Sequence, residues 1–289
     1  MFDVHAHLTA QELLPDLDRL LTEAYSVGVR DIVVVSENVR DAALVLNLPP
    51  CQNGVRLHKS LGLHPEHACL SSLSTVLNLI RENHTKLACV GEIGLDFSPH
   101  ILGQDDAKAV KALQRECMRQ QVELAYELDL PVNVHSRGAG HHALSLLRET
   151  VSASSVADTL KTTERASSQA RTRMYEGRVR AVMHAWDGKA KYAAAAAADS
   201  QQSIYFSVPP CASRSPVMIK WIERLPLESL LLETDCPALA AVKGEVNVPR
   251  NLQLSLQVIA AHKGVGLDIV REITRKNAEE LFGLQAGKE

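Results

Sequence analysis

The stretch FDVHAH, residues 2–7, begins the pattern that decides the fold of this chain. Its apolar residues predict a buried strand, yet His5 and His7 stand where a strand interior would hold Val or Ile. Side chains two residues apart point to the same face of a strand. The two imidazoles therefore project together from the end of the first strand, where they could chelate one metal ion.

Seven more short apolar runs follow, separated by longer amphipathic stretches. The predicted strands cover 2–7, 31–36, 56–64, 87–95, 131–136, 179–185, 203–208 and 229–235. Predicted helices lie between them, for example at 12–27, 104–129, 214–224 and 249–263. Strands that alternate with helices pair in parallel, so the chain predicts an α/β fold, a closed (β/α)8, TIM-barrel-like domain. A doubly wound open sheet is the alternative, but it would usually place a glycine-rich loop after its first strand, and none stands there.

A polar stretch at 149–178 interrupts this rhythm. Between 161 and 180, six Lys or Arg stand against two Glu. Such a composition cannot bury a core, so we expect a solvated, partly flexible insertion within a single barrel domain spanning 1–289. A basic arm that helps to hold a phosphate backbone is the alternative.

The composition limits the class of protein. The net charge of −3 provides no general attraction to nucleic acid or membranes, so a polyanion would have to bind at a local site. The six cysteines form no C-x-x-C pair and are expected to be reduced thiols. Neither a secretory signal nor an apolar run long enough for a membrane span is found. We expect a monomer in the cytoplasm or nucleus.

Five of the predicted strands end in residues that can ligate a metal. In a (β/α)8 barrel the carboxyl ends of the strands meet at one mouth, where active sites form. A cluster of buried imidazoles and carboxylates is costly without a partner. The candidate ligands are His5, His7, Glu92, His135, His184 and Asp235.

The number of candidate ligands predicts two metal ions. The first ion would take His5, His7 and Asp235, and the second would take His135 and His184. Glu92, from a strand between the two groups, would bridge them with its two oxygens. Two cations roughly 3.5–4 Å apart form a clamp for in-line displacement at phosphorus. Their identity stays open, because imidazoles favour Zn2+ whereas carboxylates and phosphate chemistry allow Mg2+ or Mn2+.

Six short motifs follow one another along the chain: DVHAHL, LGLHP, CVGEIGLDF, PVNVHSR, VMHAWDG and LLLETDCPAL. In this order they resemble the TatD-like metal-dependent deoxyribonuclease family, and the C-terminal ITRKNAEELFGL is similar to the last helix of that family. The resemblance spans nearly the whole chain. ETDCPAL and YFSVPPCASRS resemble most the eukaryotic TatD-domain-containing protein 3 group.

The resemblance implies an amidohydrolase-like barrel that uses divalent metals to hydrolyse phosphodiester bonds in DNA, often as an exonuclease on single strands or ends. It implies the ligand roles assigned above and adds two substrate contacts. His64 would contact the scissile phosphate, and Arg137 would pair with a phosphate oxygen, for which its planar guanidinium is suited. Glu92 and Asp235 are the expected catalytic residues. A water deprotonated with help from Asp235 would attack the phosphate in line.

Two other functions stay open. One is a barrel amidohydrolase or deaminase that cleaves C–N bonds in a small substrate, and the other is a non-catalytic binding protein with the same barrel. Several C–N hydrolases of this kind bridge their metals with a carboxylated lysine on the fourth strand, where this chain has Glu92. A barrel that had lost its catalytic activity would be expected to lack one of the metal ligands, and none of the six is missing here. The chain departs from many relatives at GLDFSPH, which lacks an aromatic pair after GLD.

Several residues near the expected mouth have open roles. Glu233 could anchor a ligand, bind an additional metal or be held by hydrogen bonds deeper in the barrel. Asp96 could orient a histidine, or it could have only a structural role in its loop. Phe97 could stack on a nucleobase or pack in the core. His141 and His142 are predicted to lie at the surface.

Overall fold

The structure is a computed structural model that describes residues 1–103, 106–164, 178–200 and 202–284, without the side chains of 154–164. Its strands are β1 Phe2–Ala6, β2 Asp31–Val35, β3 Cys51–Gln52, β4 Val55–Leu61, β5 Leu87–Gly94, β6 Val132–His135, β7 Arg180–Met183, β8 Ser203–Val208 and β9 Leu230–Leu232.

Eight of these strands close a parallel barrel. The order runs β1, β2, β4, β5, β6, β7, β8, β9 and back to β1, each strand pairing in parallel with the next. The short β3 is outside this ring and pairs antiparallel with β4. Each predicted strand is found within its predicted range, give or take one residue at its ends. The predicted (β/α)8 barrel is therefore confirmed.

Helices occupy the connections between the barrel strands. They are α1 Leu17–Ser26, α2 Val39–Asn47, α3 Leu70–Asn83, α4 Pro99–Leu102, α5 Ala107–Glu127, α6 Gly140–Glu164, α7 Ala190–Ala197, α8 Pro216–Arg224, α9 Leu252–Lys263 and α10 Leu267–Phe282. The predicted helix at 12–27 is divided, because a 3-10 turn at Leu14–Asp16 precedes α1. Among the described residues, no helix combines the length and apolarity that crossing a bilayer would need.

The polar stretch at 149–178 is only partly covered by the described residues. Helix α6 continues to Glu164, so the first part of the stretch continues the helix that precedes it. Residues 165–177 lie outside the described residues. The insertion and the single-domain organisation remain predictions.

The alternation of strand side chains separates two apolar layers. Ile32 and Val34 of β2 belong to the large core shared with the helices. Val33 and Val35 belong to a smaller cluster with residues of β1, β5, β7, β8, β9 and α10. Residues from so many strands of a closed ring can meet only in its interior. This inner layer leaves the carboxyl ends of the strands for polar residues.

Candidate metal centre

All six candidate ligands lie at the carboxyl ends of barrel strands. His5 and Glu92 are within β1 and β5, and His135 ends β6. His7, His184 and Asp235 follow β1, β7 and β9. All of them are buried except His7, which is half-buried. The structure brings the six side chains together around the carboxylate of Glu92.

The first group of donors surrounds one oxygen of Glu92. The Nε2 atoms of His5 and His7 lie 3.2 Å apart. Each of them is 3.3 Å from Oδ1 of Asp235 and 3.4 Å from Oε2 of Glu92. Four potential ligand atoms therefore face one another at the end of β1.

The second group surrounds the other oxygen of Glu92. Oε1 lies 3.0 Å from Nδ1 of His135 and 3.1 Å from Nε2 of His184. It also lies 3.6 Å from Nε2 of His64. The two oxygens of one carboxylate thus face two different sets of imidazoles, which is the arrangement expected of a bridging ligand.

Irregular strand pairing brings these side chains to the mouth. The register of β1 against β2 shifts between Asp3 and Ala6, where His5 lies, and that of β5 against β6 shifts between Val90 and Ile93, where Glu92 lies. Such bulges re-aim side chains at active sites. Asp235 itself has a positive φ of 54°, a conformation that non-glycine residues rarely adopt. Residues in such conformations are found most often at functional sites.

Gly94 allows β5 to approach β6 closely next to Glu92. Its φ is +146°, and a Cβ built there would lie 2.0 Å from the backbone oxygen of His135. Only glycine adopts that conformation at little cost, and only a residue without a side chain leaves room for the neighbouring carbonyl. The distance between the Glu92 and His135 side chains thus depends on this glycine.

The amide of Asn133 fixes the orientation of His5. Its Nδ2 donates to the carbonyl of Val4 at 2.9 Å, so its Oδ1 is left to accept from Nδ1 of His5 at 2.8 Å. A neutral His5 that donates from Nδ1 has its lone pair on Nε2, which faces His7 and the two carboxylates. Polarised in this way, His5 is prepared to ligate a cation.

Two carboxylates hold the imidazoles of the second group from behind. Asp96 Oδ2 lies 3.1 Å from Nε2 of His135, and Glu233 Oε2 lies 3.4 Å from Nδ1 of His184. Glu233 also accepts from the backbone N–H of Ala185 and from the hydroxyl of Ser207. Metal-ligating histidines usually have such a partner on the ring nitrogen that faces away from the metal. The lone pairs of His135 and His184 are then directed toward Glu92.

The donor set fits divalent cations. When the lone pairs of neutral imidazoles face one another or face carboxylate oxygens, these groups repel one another. A proton or a metal ion between them removes the repulsion. Groups of potential ligand atoms lie within 4.8 Å of one another in both halves: His5, His7 and Asp235 in the first, and His64, Glu92 and His135 in the second. Nitrogen and oxygen donors of this kind suit Zn2+, Mg2+ or Mn2+ to different degrees.

The electrostatics of the site also favour cations. Burial disfavours a charge on His5, but Glu92 and Asp235 outweigh that effect and raise the pKa of His5 well above its usual value. Burial likewise works against the charge on Glu92, yet the charges of His5 and His184 and the hydrogen bond from His135 hold the pKa of Glu92 well below its usual value. Burial and His5 lower the pKa of His184, but Glu92 and Glu233 overcome them and raise it to about 9.

His64 differs from the other imidazoles. Its Nδ1 accepts from the backbone N–H of Glu66 at 3.2 Å, so a neutral ring has its proton on Nε2. Burial lowers the pKa of His64 to about 3, against the pull of Glu92 in the other direction. Nε2 of a neutral His64 is therefore a hydrogen-bond donor that faces the site, and a donor suits a substrate oxygen better than a metal.

The remaining predicted residues occupy the rim. Arg137 is exposed on the loop after β6, and its backbone oxygen accepts from the N–H of Phe97 at 2.9 Å. Its guanidinium has no carboxylate within ion-pair distance in the described part of the chain. Arg137 is therefore available to a ligand that reaches the mouth, although it does not touch the cluster.

Sequence reasoning missed two residues of the site. Asn133 is a polar residue in a buried strand, two positions before His135 and hence on the same face, which was a usable signal. Glu37 follows β2, and its carboxylate belongs to a group with His7 and Glu92 whose ligand atoms lie within 4.8 Å. The strand-end argument that identified the other ligands applies to Glu37 as well.

Comparisons with known proteins match the chain over nearly its whole length. A family model described as TatD related DNase matches residues 2–283. A human protein named deoxyribonuclease TATDN3 is 33% identical, over 98% of this chain and 94% of its own length. A mouse TATDN3 protein is 34% identical, over 98% of this chain and 88% of its own. The crystal structure of YJJV, a TATD homologue from Escherichia coli, has a TM-score of 0.76 at 26% identity and covers 99% of this chain and 98% of its own.

Proposed function

Because the chain belongs to the TatD related DNase family, we propose that it is a divalent-metal-dependent hydrolase of phosphodiester bonds in DNA. The family expected from the six motifs is thereby confirmed, and so is the similarity to the TatD-domain-containing protein 3 group. The alternative of an amidohydrolase or deaminase is not favoured by these relatives.

The division of Glu92 between two sets of imidazoles carries the proposal. His5, His7, Asp235 and one oxygen of Glu92 would hold one cation, and His135, His184 and the other oxygen of Glu92 would hold a second. When bound, two such cations neutralise a phosphodiester and lower the pKa of a water molecule. Asp96 and Glu233 orient the imidazoles of the second set.

The other residues act on the substrate. Asp235, whose Oδ1 lies 3.3 Å from Nε2 of both His5 and His7, is the proposed acceptor of the proton of the attacking water. His64 donates Nε2–H to a nonbridging oxygen of the phosphate, since its Nδ1 is already occupied by the N–H of Glu66. Arg137 at the rim holds a further phosphate oxygen. Donors placed where charge develops stabilise the transition state of such a displacement.

The proposed substrate is single-stranded DNA or a DNA end, degraded in the manner of an exonuclease by a monomer. The donors are largely buried at the carboxyl ends of the barrel strands, and a single strand reaches such a position more easily than the middle of a duplex does. The expected cytoplasmic or nuclear location stays a prediction.

The test is cleavage of an oligonucleotide labelled at its 5′ or 3′ end. Metal-stripped protein is assayed with Mg2+, Mn2+ or Zn2+ added back, next to Glu92→Gln and to the exposed control Glu82→Gln. We expect a metal-restored ladder that Glu82→Gln retains and Glu92→Gln loses by at least about 10³-fold, because the bridging charge is gone. Folded Glu92→Gln with near-wild-type activity would exclude the bridging role, and no cleavage with any of the three metals would exclude the nuclease.

A further inference from the structure

We infer that a row of four rings beside the mouth is a stacking surface for the bases of a single-stranded nucleic acid that enters the metal centre. This inference rests on the proposed function and extends it to the part of the strand beyond the reacting phosphate. The row, called here the ring track, consists of Phe97, His142, His141 and Tyr192.

The ring track begins next to a residue that supports the metal centre. Phe97 follows Asp96, the residue that holds His135. Its backbone N–H donates to the carbonyl of Arg137, so the loops after β5 and β6 are joined at this point. A strand whose phosphate lies in the centre would therefore pass Phe97 on leaving it.

Successive rings continue from Phe97 across the beginning of α6 to α7. The centroids of Phe97 and His142 are 5.5 Å apart, and those of His142 and His141 are 3.9 Å apart. The rings of His141 and Tyr192 are stacked, with centroids 5.5 Å apart and planes inclined by 22°. His141 is exposed, and 36% of the surface of Tyr192 is exposed. The end of the track away from the centre is thus accessible from water.

Cations line the same track. Nζ of Lys111 lies 4.9 Å from the centroid of Phe97, and Nζ of Lys191 lies 4.9 Å from that of Tyr192. Arg115 donates from Nη2 to Nδ1 of His142 at 3.1 Å. Within the described ranges no carboxylate lies within 4 Å of these three cations, whereas Arg119 on the same helix as Arg115 is paired with two glutamates.

Rings combined with unpaired cations are the features that bind single strands. Bases stack on aromatic side chains regardless of sequence, while lysine and arginine follow the phosphates. The chain as a whole has a net charge of −3, so cations without a carboxylate partner are not a consequence of a basic composition. A duplex would not use the ring faces, since its bases are already stacked on one another.

The test compares Tyr192→Ala and the double variant His141→Ala/Tyr192→Ala with Tyr25→Ala. Tyr25 is a matched control, because 42% of its surface is exposed and Arg30 lies over its ring at 3.8 Å. It lies on α1, close to where β2 begins, at the opposite end of the barrel from the mouth. Tyr192→Phe serves as the conservative variant that keeps the ring.

Binding of a fluorescent single-stranded oligonucleotide is measured by anisotropy in EDTA, where no hydrolysis occurs. We expect Tyr192→Ala to weaken binding by about 5-fold or more, and the double variant further, as loss of base stacking does. Tyr25→Ala and Tyr192→Phe should bind as the wild type does. Lys111→Gln should reduce the slope of log affinity against log salt by about 0.7, the value for one phosphate contact to a single strand.

Three outcomes would overturn the ring track. They are absence of single-strand binding by the wild type, equal binding by Tyr192→Ala and Tyr25→Ala, and an equal loss on a blunt duplex of the same sequence. Turnover of bis(4-nitrophenyl) phosphate, which has no nucleotides beyond the reacting phosphate, should be the same in the wild type and in the His141 and Tyr192 variants. If the wild type hydrolyses neither DNA nor this ester, the proposed function fails, while the binding measurement still decides the track.

Discussion

The carboxylate of Asp96 lies 3.1 Å from Nε2 of His135, on the side of the imidazole opposite to Glu92. Asp96 is itself held by the backbone N–H and the hydroxyl of Ser98, at 2.8 and 2.5 Å. Burial acts against its charge, but the bonds from His135 and Ser98 outweigh burial and lower the pKa of Asp96. An ionised Asp96 therefore keeps the His135 proton on Nε2 and the lone pair on Nδ1.

Asp96→Asn should weaken the second metal set. Without the negative charge His135 is a poorer donor, and loss of such partners typically lowers metal affinity by about 10- to 100-fold. Metal affinity is measured by competition with a chromogenic chelator. Ser98→Ala is the control, since it removes one bond to Asp96 but leaves the carboxylate, and its effect should be clearly smaller. Unchanged affinity in Asp96→Asn would contradict the orienting role.

His64→Gln should separate catalysis from metal binding. If His64 donates to the phosphate, kcat falls by about 10²- to 10³-fold, as for the loss of one donor to a developing charge. Metal content, measured by mass spectrometry of the purified protein, should stay the same. The exposed neighbour His67 provides a control variant, His67→Gln. Loss of one metal ion from His64→Gln would show instead that His64 is a ligand.

The activity should not depend on titration of His64 at ordinary pH. Its pKa is lowered to about 3, so the ring is neutral throughout pH 5 to 9. A pH–rate profile of the wild type and of His64→Gln should therefore have the same shape and differ only in height. A limb of the wild-type profile that disappears in His64→Gln would contradict a neutral donor.

Metal affinity should rise with pH. In the metal-free protein the pKa of His184 is raised to about 9, so below that pH an ion must displace its proton. Each proton displaced makes the apparent affinity increase about tenfold per pH unit. Calorimetric titration in two buffers with different protonation enthalpies counts the protons. An affinity that is constant from pH 6.5 to 8.5 would contradict this coupling.

The same titration has a consequence for stability. A protonated His184 stabilises the metal-free fold fully below the unfolded pKa near 6.5, and the contribution is lost as pH rises toward about 9. Bound metal replaces the lost proton. The increase in Tm caused by metal should therefore be larger at pH 8.5 than at pH 6.5, which melting curves with and without metal can show.

Gly94→Ala should damage both the fold and the centre. The added Cβ would meet the backbone oxygen of His135, at a φ that disfavours alanine, so we expect a loss of at least about 2 kcal/mol in the free energy of unfolding. Gly266→Ala is the control, because a Cβ there meets nothing within 4 Å. Gly266 caps α10, where alanine is less suited, so a loss of about 1 kcal/mol or less is expected. Denaturant unfolding measures both, and equal losses would contradict the close approach.

Much of the fold and the centre could be predicted from the sequence. The alternation of apolar runs and amphipathic stretches can be read from neighbouring residues, and it predicts the strands and helices. Eight strand–helix units with parallel strands have few possible arrangements, of which the closed barrel is one. Position at a strand end then assigns side chains to one mouth, which was sufficient to identify His5, His135 and Asp235 as neighbours. Glu37 follows a strand in the same way, but its carboxylate stands outside any histidine motif.

The sequence by itself determined the barrel, the family and six candidate ligands at the mouth, because these depend on the period of the pattern and on short motifs. Only the tertiary structure decided which oxygen of Glu92 faces which imidazole, that Asn133 and Asp96 orient His5 and His135, and that His64 presents a proton instead of a lone pair. Such relations join residues as far as 128 positions apart, as in His5 and Asn133. They depend on bulges and close backbone approaches, which change the direction of a side chain without leaving a periodic signal in the sequence.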